Sequence, residues 1–265
     1  MKFYRALVFA GFTVLLAGIT CWAQVASDKN PPATSNPAAE VKPFVIKSTD
    51  GKCEITIDTS GAPDLTDWAD HKLAPVLAEW YPKLTEMLAS PGYTPPDHFS
   101  VTIRNGNGVA ATGGTRVFAN AAWFRHELKR EAIGALVHEE VHVVQQYGRG
   151  RRNNPNYHRP PGWLVEGIPD YLRWYLYEPQ SHGADITSPR AVERAKYNGM
   201  YRISANFLNF VVTHYDKGII QKINAACREG KYTDDLWKQY TGKTLDELNT
   251  EWKATLPDKK VGKAA

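Results

Sequence analysis

The sequence carries little net charge and has no long apolar run beyond its first 23 residues. Its 265 residues include 32 basic and 28 acidic side chains, a formal charge of +4. Removal of Lys2 and Arg5 with the N-terminal segment lowers this charge to +2. A charge so close to zero gives no reason to expect a nucleic acid or an anionic membrane as partner. After residue 23, no stretch is long enough to span a membrane, and the sequence contains no internal repeat.

The first 23 residues have the three parts of a secretory signal peptide. Lys2 and Arg5 provide the positive start, and Ala6–Thr20 is apolar and uncharged. Cys21-Trp22-Ala23 then places small residues at the two positions that a signal peptidase reads. The apolar run of 15 residues is short for a membrane anchor. We therefore expect cleavage after Ala23 and a secreted or periplasmic protein.

The rest of the chain divides into a linker, one domain and a tail. Residues 24–45 are rich in Pro, Ala, Ser and Asn and lack apolar periodicity, which predicts a disordered linker. Residues 46–258 form the predicted domain, and residues 259–265 form a charged tail. With 43% hydrophobic residues, the chain can bury a sizeable core, and we expect a monomer.

Cysteine is scarce, with three residues in all, of which Cys53 and Cys227 remain after cleavage. An exported protein could join them in a disulfide. Two small buried thiols are an equally good interpretation, because the two cysteines lie far apart in the sequence. The residues alone leave both alternatives open.

His138-Glu139-Glu140-Val141-His142 is an H-E-x-x-H pattern inside a predicted helix, Lys129–Tyr147. Residues four apart share one face of a helix, so His138 and His142 can point two imidazoles at one metal ion. Glu139 can then reach a water bound to that ion. Zinc suits such a site, since it takes neutral nitrogen ligands and needs a nearby base to accept a proton from its water.

Glu166 is the best candidate for the third protein ligand that a zinc enzyme needs. It follows His142 after 23 intervening residues, which is enough for a loop and a return on a second helix, Trp163–Tyr177. Asp170, four residues on, could accept a hydrogen bond from a ligand histidine. The alternative for both acids is a solvated helix start. His158 lies on a predicted basic loop, Gly148–Pro161, beside Pro160 and Pro161, and ranks well below Glu166.

Together, His138–Tyr147 and Trp163–Tyr171 resemble the plant and bacterial basic secretory protein family, which is grouped with zincin-like metallopeptidases. The resemblance runs from about Cys53 to Leu256. It implies that His138, His142 and Glu166 bind Zn²⁺ and that Glu139 is the general base. One departure is Pro169, where the family more often has a small helix former. Proline predicts that this helix starts late or is kinked.

The resemblance implies an α+β fold. We expect a small, mostly antiparallel sheet packed on the active-site helix, followed by a helical C-terminal half. Alternation and apolar spacing predict these elements: strands Cys53–Asp58, His98–Arg104 and Thr115–Phe124, a loop Asn105–Gly114, and helices Leu65–Ala89 and Tyr201–Tyr215. In zincin folds an edge strand runs beside the metal cleft and can pair with an extended peptide. Thr115–Asn120 is our candidate, and an ordinary half-buried strand is the alternative.

Metallopeptidases of this type also need a donor for the oxyanion that forms during attack on the carbonyl. A Tyr or His from downstream in the chain usually provides it, and we nominate Tyr201. The alternative is a tyrosine that packs at a helix start.

These residues predict an exported zinc metallopeptidase that hydrolyses peptide or protein substrates. Two alternatives remain open. The chain could be a zinc-binding relative with a non-catalytic role, such as binding to cell-wall glycan or a partner protein. It could also be an interaction protein in which the H-E-x-x-H pattern is accidental. The intact Glu139 argues against the first alternative, because binding alone has no chemical need for it.

Overall fold

The computed structural model describes residues 41–257, except for the side chains of residues 152 and 153. The predicted signal peptide, most of the predicted linker and the charged tail lie outside the described residues. Within the described part, a five-stranded sheet and a series of helices share one apolar core. The α+β prediction is therefore confirmed. No helix in residues 41–257 is long and apolar enough to cross a membrane.

The sheet has the strand order β1-β2-β3-β5-β4. Its strands are β1 (Phe44–Lys47), β2 (Glu54–Asp58), β3 (His98–Arg104), β4 (Ala110–Gly113) and β5 (Arg116–Asn120). The two outer pairings, β1–β2 and β4–β5, are antiparallel, whereas the two central pairings are parallel. The prediction of a mostly antiparallel sheet is corrected to a mixed one. Helical turns connect β2 to β3, and a crossover of this kind is what a parallel pairing requires.

Alternation in the strands follows the burial of one face. Ile55 and Ile57 of β2 are buried, as are Phe99, Val101 and Ile103 of β3. Branched and aromatic side chains on one face of a strand give it a surface to pack on, which is why these short segments form the sheet. That packed face belongs to the same core as the helices described below.

The edge of the sheet differs from the prediction. Residues 110–113, which we expected to be loop, form β4, and β5 ends at Asn120 instead of reaching Phe124. β5 pairs with β3 on one side and with β4 on the other, so Thr115–Asn120 is not an edge. β4 is the edge strand on this side of the sheet, because the chain passes beyond the position of β5 and returns to it through a hairpin turn. Gly114 has φ +67 in that turn, a conformation that favours glycine.

The predicted helix Leu65–Ala89 is a run of helical segments. It contains a 3₁₀ turn Pro63–Leu65, α1 (Thr66–Trp68), a π-helical turn Ala69–Leu73 and α2 (Ala74–Met87). Pro82 lies inside α2 and has no N–H for the carbonyl of Ala78, four residues earlier. The backbone N–H of Thr49 donates to that carbonyl instead, at 2.8 Å. The carbonyl that proline frees is thus used in a tertiary contact.

The helices and helical turns after the sheet include α4 (Ala132–Gln145), α6 (Gly162–Tyr171) and α8 (Tyr201–His214), which carry the site. In chain order, the elements up to α8 are α3 (Ala121–Glu127), α4, α5 (Gly148–Asn153), α6, a π-helical turn Leu172–Tyr177, a 3₁₀ turn Pro179–Ser181, α7 (Pro189–Arg194) and α8. The predicted basic loop therefore contains one short helix. α6 and α8 pack closely, since a Cβ at Gly167 would lie 2.8 Å from Ser204 Cβ. Glycine is needed at that crossing.

The helix α6 runs through Pro169 without a late start. It begins at Gly162, and the backbone widens into the π-helical turn only after Tyr171. Of the two alternatives at Pro169, a late helix start or a kink, the late start is therefore wrong. Proline is tolerated there because the carbonyl of Val165, which loses its helical partner, accepts a hydrogen bond from Gln145 Nε2 at 3.3 Å.

The C-terminal half is helical, as predicted. It contains α9 (Ile219–Glu229), α10 (Asp235–Thr241) and α11 (Leu245–Thr255). Thr244 and Glu247 form a reciprocal capping box at the start of α11. Cys53 and Cys227 are both buried free thiols, so the unpaired alternative is the one observed. Burial raises the pKa of the Cys53 thiol to about 12, which keeps it protonated and unreactive.

Candidate metal centre

The helix α4 presents His138 and His142 on one face, as their spacing predicts. The helix is buried along most of its length, and its apolar residues Val137, Val141 and Val144 are fully buried. The two imidazoles lie at the edge of this packed surface, with rings 4.9 Å apart between centroids. Packing of the apolar stripe therefore fixes the orientation of the helix and, with it, of both histidines.

Glu166 from α6 joins the two histidines. His138 Nε2 lies 3.2 Å from His142 Nε2 and 3.3 Å from Glu166 Oε2. The third separation, from His142 Nε2 to Glu166 Oε2, is 3.5 Å. These three side chains form a group that could hold a metal ion. Ligand atoms about 2.1 Å from a tetrahedral ion lie about 3.4 Å from one another, so the three separations suit zinc.

The outer nitrogens of both imidazoles have acceptors of their own. His138 Nδ1 lies 2.6 Å from Asp170 Oδ1, and His142 Nδ1 lies 2.7 Å from Gln145 Oε1. With a proton on each Nδ1, the two Nε2 atoms and Glu166 Oε2 direct three lone pairs at the same point. Three acceptors without a donor repel one another unless a positive charge lies between them. The donor set therefore fits a cation.

The charges in the site agree with this conclusion. Burial lowers the pKa of His138, but hydrogen bonds to Asp170 and Glu166 outweigh burial and raise the pKa to about 9. Burial raises the pKa of Glu166, but the neighbouring imidazoles of His138 and His142 outweigh burial and lower the pKa to about 2. The site thus favours a positive charge between these groups, which an imidazolium proton or a metal ion can supply.

Glu139 lies beside the three possible ligands and outside their group. Its side chain is buried, and the Thr112 hydroxyl donates to Glu139 Oε2 at 2.6 Å. Both residues line a cavity of about 900 Å³ that also contains His138, His142 and Glu166. A carboxylate held at the wall of such a cavity can reach a water in it.

Tyr201 is the first residue of α8 and also lines this cavity. Its ring stacks on the His138 ring, with 6.3 Å between the centroids and 27° between the planes. The charge on Glu166, followed by burial, raises the pKa of the Tyr201 hydroxyl, so the hydroxyl remains a donor at neutral pH. Met200 and Tyr201 have φ values of +67 and +43, which L residues rarely adopt. Such strain costs about 1–3 kcal/mol per residue and tends to occur at functional sites.

The backbone of β4 provides a further wall of the cavity. The carbonyl of Val109 accepts a hydrogen bond from the Asn120 N–H at 2.9 Å. Antiparallel pairs alternate between bonded and non-bonded positions, so Ala110 and Thr112 direct their N–H and C=O groups away from β5. These backbone groups are available to pair with another extended chain.

Comparison with known families decides where the chain belongs. A family model described as BSP, peptidase of plants and bacteria, matches residues 59–252. The chain belongs to this family. The resemblance drawn from the two motifs is thereby confirmed, and all five nominated site residues lie inside the matched span. No curated protein and no solved structure shows a match.

Three features of this BSP-family chain were not predicted from its sequence. Thr112 lies in a stretch without a strand pattern, so no signal pointed to it. Gln145 lies three residues after His142, a spacing that places it within reach on a helix. Glu140 is fully buried, and both of its carboxyl oxygens lack a hydrogen-bond partner among the described residues. By contrast, His158 is exposed and lies outside the metal group, as its low rank predicted.

Proposed function

We propose that this protein is an exported, zinc-dependent peptidase in which His138, His142 and Glu166 hold the ion. The observation that carries the proposal is the convergence of two Nε2 atoms and one carboxylate oxygen, with separations of 3.2–3.5 Å. Two imidazoles and one carboxylate, with a fourth position open, are a typical donor set of catalytic zinc. The family's description as peptidases supports the reaction class.

Glu139 is the general base of the proposed reaction. His138, His142 and Glu166 would hold the zinc ion, which would supply a Lewis acid to polarise the scissile carbonyl and to make water nucleophilic near neutral pH. Glu139 accepts the proton of the attacking water and returns it to the leaving amine. Its position in the cavity wall beside His138 and His142 supports this role.

Tyr201 donates to the carbonyl oxygen as negative charge develops on it. The stack on His138 keeps the phenol ring near the site, and the raised pKa keeps its hydroxyl protonated. The residue is 52% exposed, so its side chain has room to meet a substrate without displacing packed residues. The strained backbone at Met200 and Tyr201 supports a functional reason for the placement.

The substrate is an extended peptide that lies along β4. The outward N–H and C=O groups of Ala110 and Thr112 can pair with the peptide backbone, as a further strand of the sheet. Because Thr112 also contacts Glu139, a chain bound at this edge passes close to the base. Backbone pairing alone would accept many side chains, which suits an exported enzyme that degrades proteins.

The decisive experiment combines metal analysis with hydrolysis. The purified mature protein should contain one zinc ion per chain and should cleave a denatured protein mixture. A chelator should abolish cleavage, and added Zn²⁺ should restore it. Glu139→Gln should keep the ion and lose roughly a hundredfold or more of the activity, because the general base is gone.

Each failure has its own meaning. Wild-type turnover in the Glu139→Gln protein would contradict the assignment of Glu139 as the general base. Wild-type protein that binds zinc and cleaves nothing would favour a binding role. Wild-type protein that binds no zinc would contradict the proposed zinc site.

A further inference from the structure

Gln145 is the last residue of α4 and lies three residues beyond His142. The residue is buried, with an exposed fraction of 2%. Oε1 of this amide lies 2.7 Å from His142 Nδ1. Gln145 therefore serves His142 as Asp170 serves His138, although the two partners come from different helices.

The other end of the Gln145 amide determines which way it faces. Nε2 lies 3.3 Å from the carbonyl oxygen of Val165 and 3.2 Å from the Tyr147 hydroxyl. A carbonyl oxygen only accepts hydrogen bonds, so the atom facing Val165 must be the amide nitrogen. The Oε1 atom then faces His142, and His142 must carry its proton on Nδ1. That tautomer leaves the Nε2 lone pair free for a metal ion.

The contacts of Tyr147 extend this arrangement into the core. The Tyr147 hydroxyl donates to Asn224 Oδ1 at 3.0 Å, and Asn224 Nδ2 donates to the Leu88 carbonyl at 3.1 Å. Each donor in this chain has an acceptor, which agrees with the amide orientation derived above. Gln145 is therefore held from two sides.

Pro169 explains why the Val165 carbonyl is available. In a regular helix this carbonyl would accept the N–H of the residue four positions later, which is Pro169. Proline has no N–H and pushes against the preceding turn, so the carbonyl remains free for Gln145. The same pattern occurs at Pro82. The carbonyl of Ala78, four residues earlier, has no N–H partner in the helix and accepts a hydrogen bond from the Thr49 N–H.

We propose that Gln145 is a positioning residue of the metal site and that Pro169 acts through it. Pro169 frees the Val165 carbonyl, the carbonyl orients the Gln145 amide, and the amide fixes the tautomer and ring plane of His142. This inference rests on the proposed metal centre. It gives the proline inside α6 a role in metal affinity, although a proline in that place costs the helix a hydrogen bond.

The first test is the Zn²⁺ affinity of purified protein, measured by competition with a chromophoric chelator. Gln145→Leu removes the acceptor for His142 and retains a side chain of similar size. Its zinc affinity should fall roughly 10–100-fold, as is typical when the partner of a ligand histidine is lost. Gln146→Leu is the matched control, because Gln146 contacts the Gly114 and Val143 carbonyls and no ligand. Its affinity should equal that of the wild type.

The second test concerns Pro169→Ala. The new N–H can bond the Val165 carbonyl along the helix and turn it from Gln145, so zinc affinity should fall roughly three- to tenfold, the effect of one neutral hydrogen bond. Pro82→Ala makes the same change in α2, far from the site in the chain, and should leave zinc affinity unchanged. Circular dichroism and thermal melts of the metal-free variants establish that each protein is folded.

A double-mutant cycle then shows whether Pro169→Ala and Gln145→Leu lower zinc affinity through the same contact or independently. If Pro169 acts through Gln145, Pro169→Ala should have no further effect in the Gln145→Leu protein. Additive losses would overturn the role of Pro169, and wild-type affinity in folded Gln145→Leu would overturn the role of Gln145. If Gln145→Leu does not fold, unchanged zinc affinity in Pro169→Ala overturns the inference on its own. A wild-type protein that binds no Zn²⁺ would instead overturn the proposed function.

Discussion

The hydroxyl of Thr112 donates a hydrogen bond to Glu139 Oε2 at 2.6 Å. It also lies 3.1 Å from the Glu139 backbone carbonyl, but a hydroxyl has one proton, and the carboxylate is the nearer and stronger acceptor. Thr112 belongs to the edge strand β4, whereas Glu139 belongs to α4. The contact therefore ties the expected substrate-binding edge to the expected base, and leaves the other carboxylate oxygen to meet a water.

Thr112→Val tests whether this contact matters for turnover. The substitution keeps the shape and removes the hydroxyl, so Glu139 loses one hydrogen bond to a charged group, worth about 1.5–3 kcal/mol. We expect kcat to fall about tenfold to a hundredfold while zinc content and KM stay near wild type. Thr112→Ser retains the hydroxyl and should restore most of the turnover. Equal kcat values for Thr112→Val and wild type would show that the contact is structural only.

Tyr201→Phe tests the donor nominated for the oxyanion. The phenyl ring can still stack on His138, so the fold, zinc content and peptide affinity should stay near wild type. Loss of one oxyanion donor should lower kcat roughly 10²–10³-fold. Steady-state kinetics on a peptide that contains one cleavage site provide the measurement. Undiminished turnover with normal binding would end the nomination.

Glu140 predicts an unusual dependence of stability on pH. Burial raises the pKa of its carboxyl well above the ordinary value of 4.5, so the folded protein holds a proton that the unfolded chain releases. The folded state then binds more protons than the unfolded state. Stability must therefore fall as pH rises above about 4.5, by about 1.4 kcal/mol per pH unit for this one group, until the folded-state pKa is reached.

Denaturant unfolding of wild type and Glu140→Gln at several pH values between 5 and 8 measures this effect. Glu140→Gln lacks the titrating group, so its free energy of unfolding should rise relative to wild type as the pH increases. The difference between the two proteins is the relevant quantity, because it cancels the contributions of all other groups. Parallel curves for the two proteins would contradict the prediction.

Export is predicted from the N-terminal segment alone. Expression of the full chain in a bacterial host should yield a mature protein outside the cytoplasm that begins at Gln24. The intact mass of the exported protein, together with its N-terminal sequence, measures the cleavage site. Recovery of the uncleaved chain in the cytoplasm would contradict the assignment. Replacement of Lys2 and Arg5 by Glu should impair export, since a signal peptide needs its positive start.

The candidate site could be predicted well where it depends on local geometry. His138 and His142 are four residues apart, and a helix brings such residues together whatever surrounds it. Glu166 was nominated because a zinc site needs a third ligand, and Asp170 because it lies four residues further on the same helix face. Both reach the histidines, at 3.3 Å and 2.6 Å from His138. Strands β2 and β3 could be predicted equally well from the alternation of apolar and polar residues, because burial of one face imposes that alternation.

Other features had no local signature. β4 is short, and its Ala, Thr and Gly residues have no apolar alternation, so only pairing with β5 makes it a strand. Which strand occupies the edge depends on its partners, and those lie elsewhere in the chain. Thr112 reaches Glu139 across 27 positions for the same reason.

By itself, the sequence determined which side chains can bind a metal and which helix faces carry them, since helical and strand periodicity are properties of the local chain. Only the tertiary structure decided that β4 is the edge, that Cys53 and Cys227 remain unpaired, and that Tyr201 stacks on His138. It also decided that Pro169 frees a carbonyl for Gln145. These relationships join residues distant in sequence, and packing of the whole core selects them.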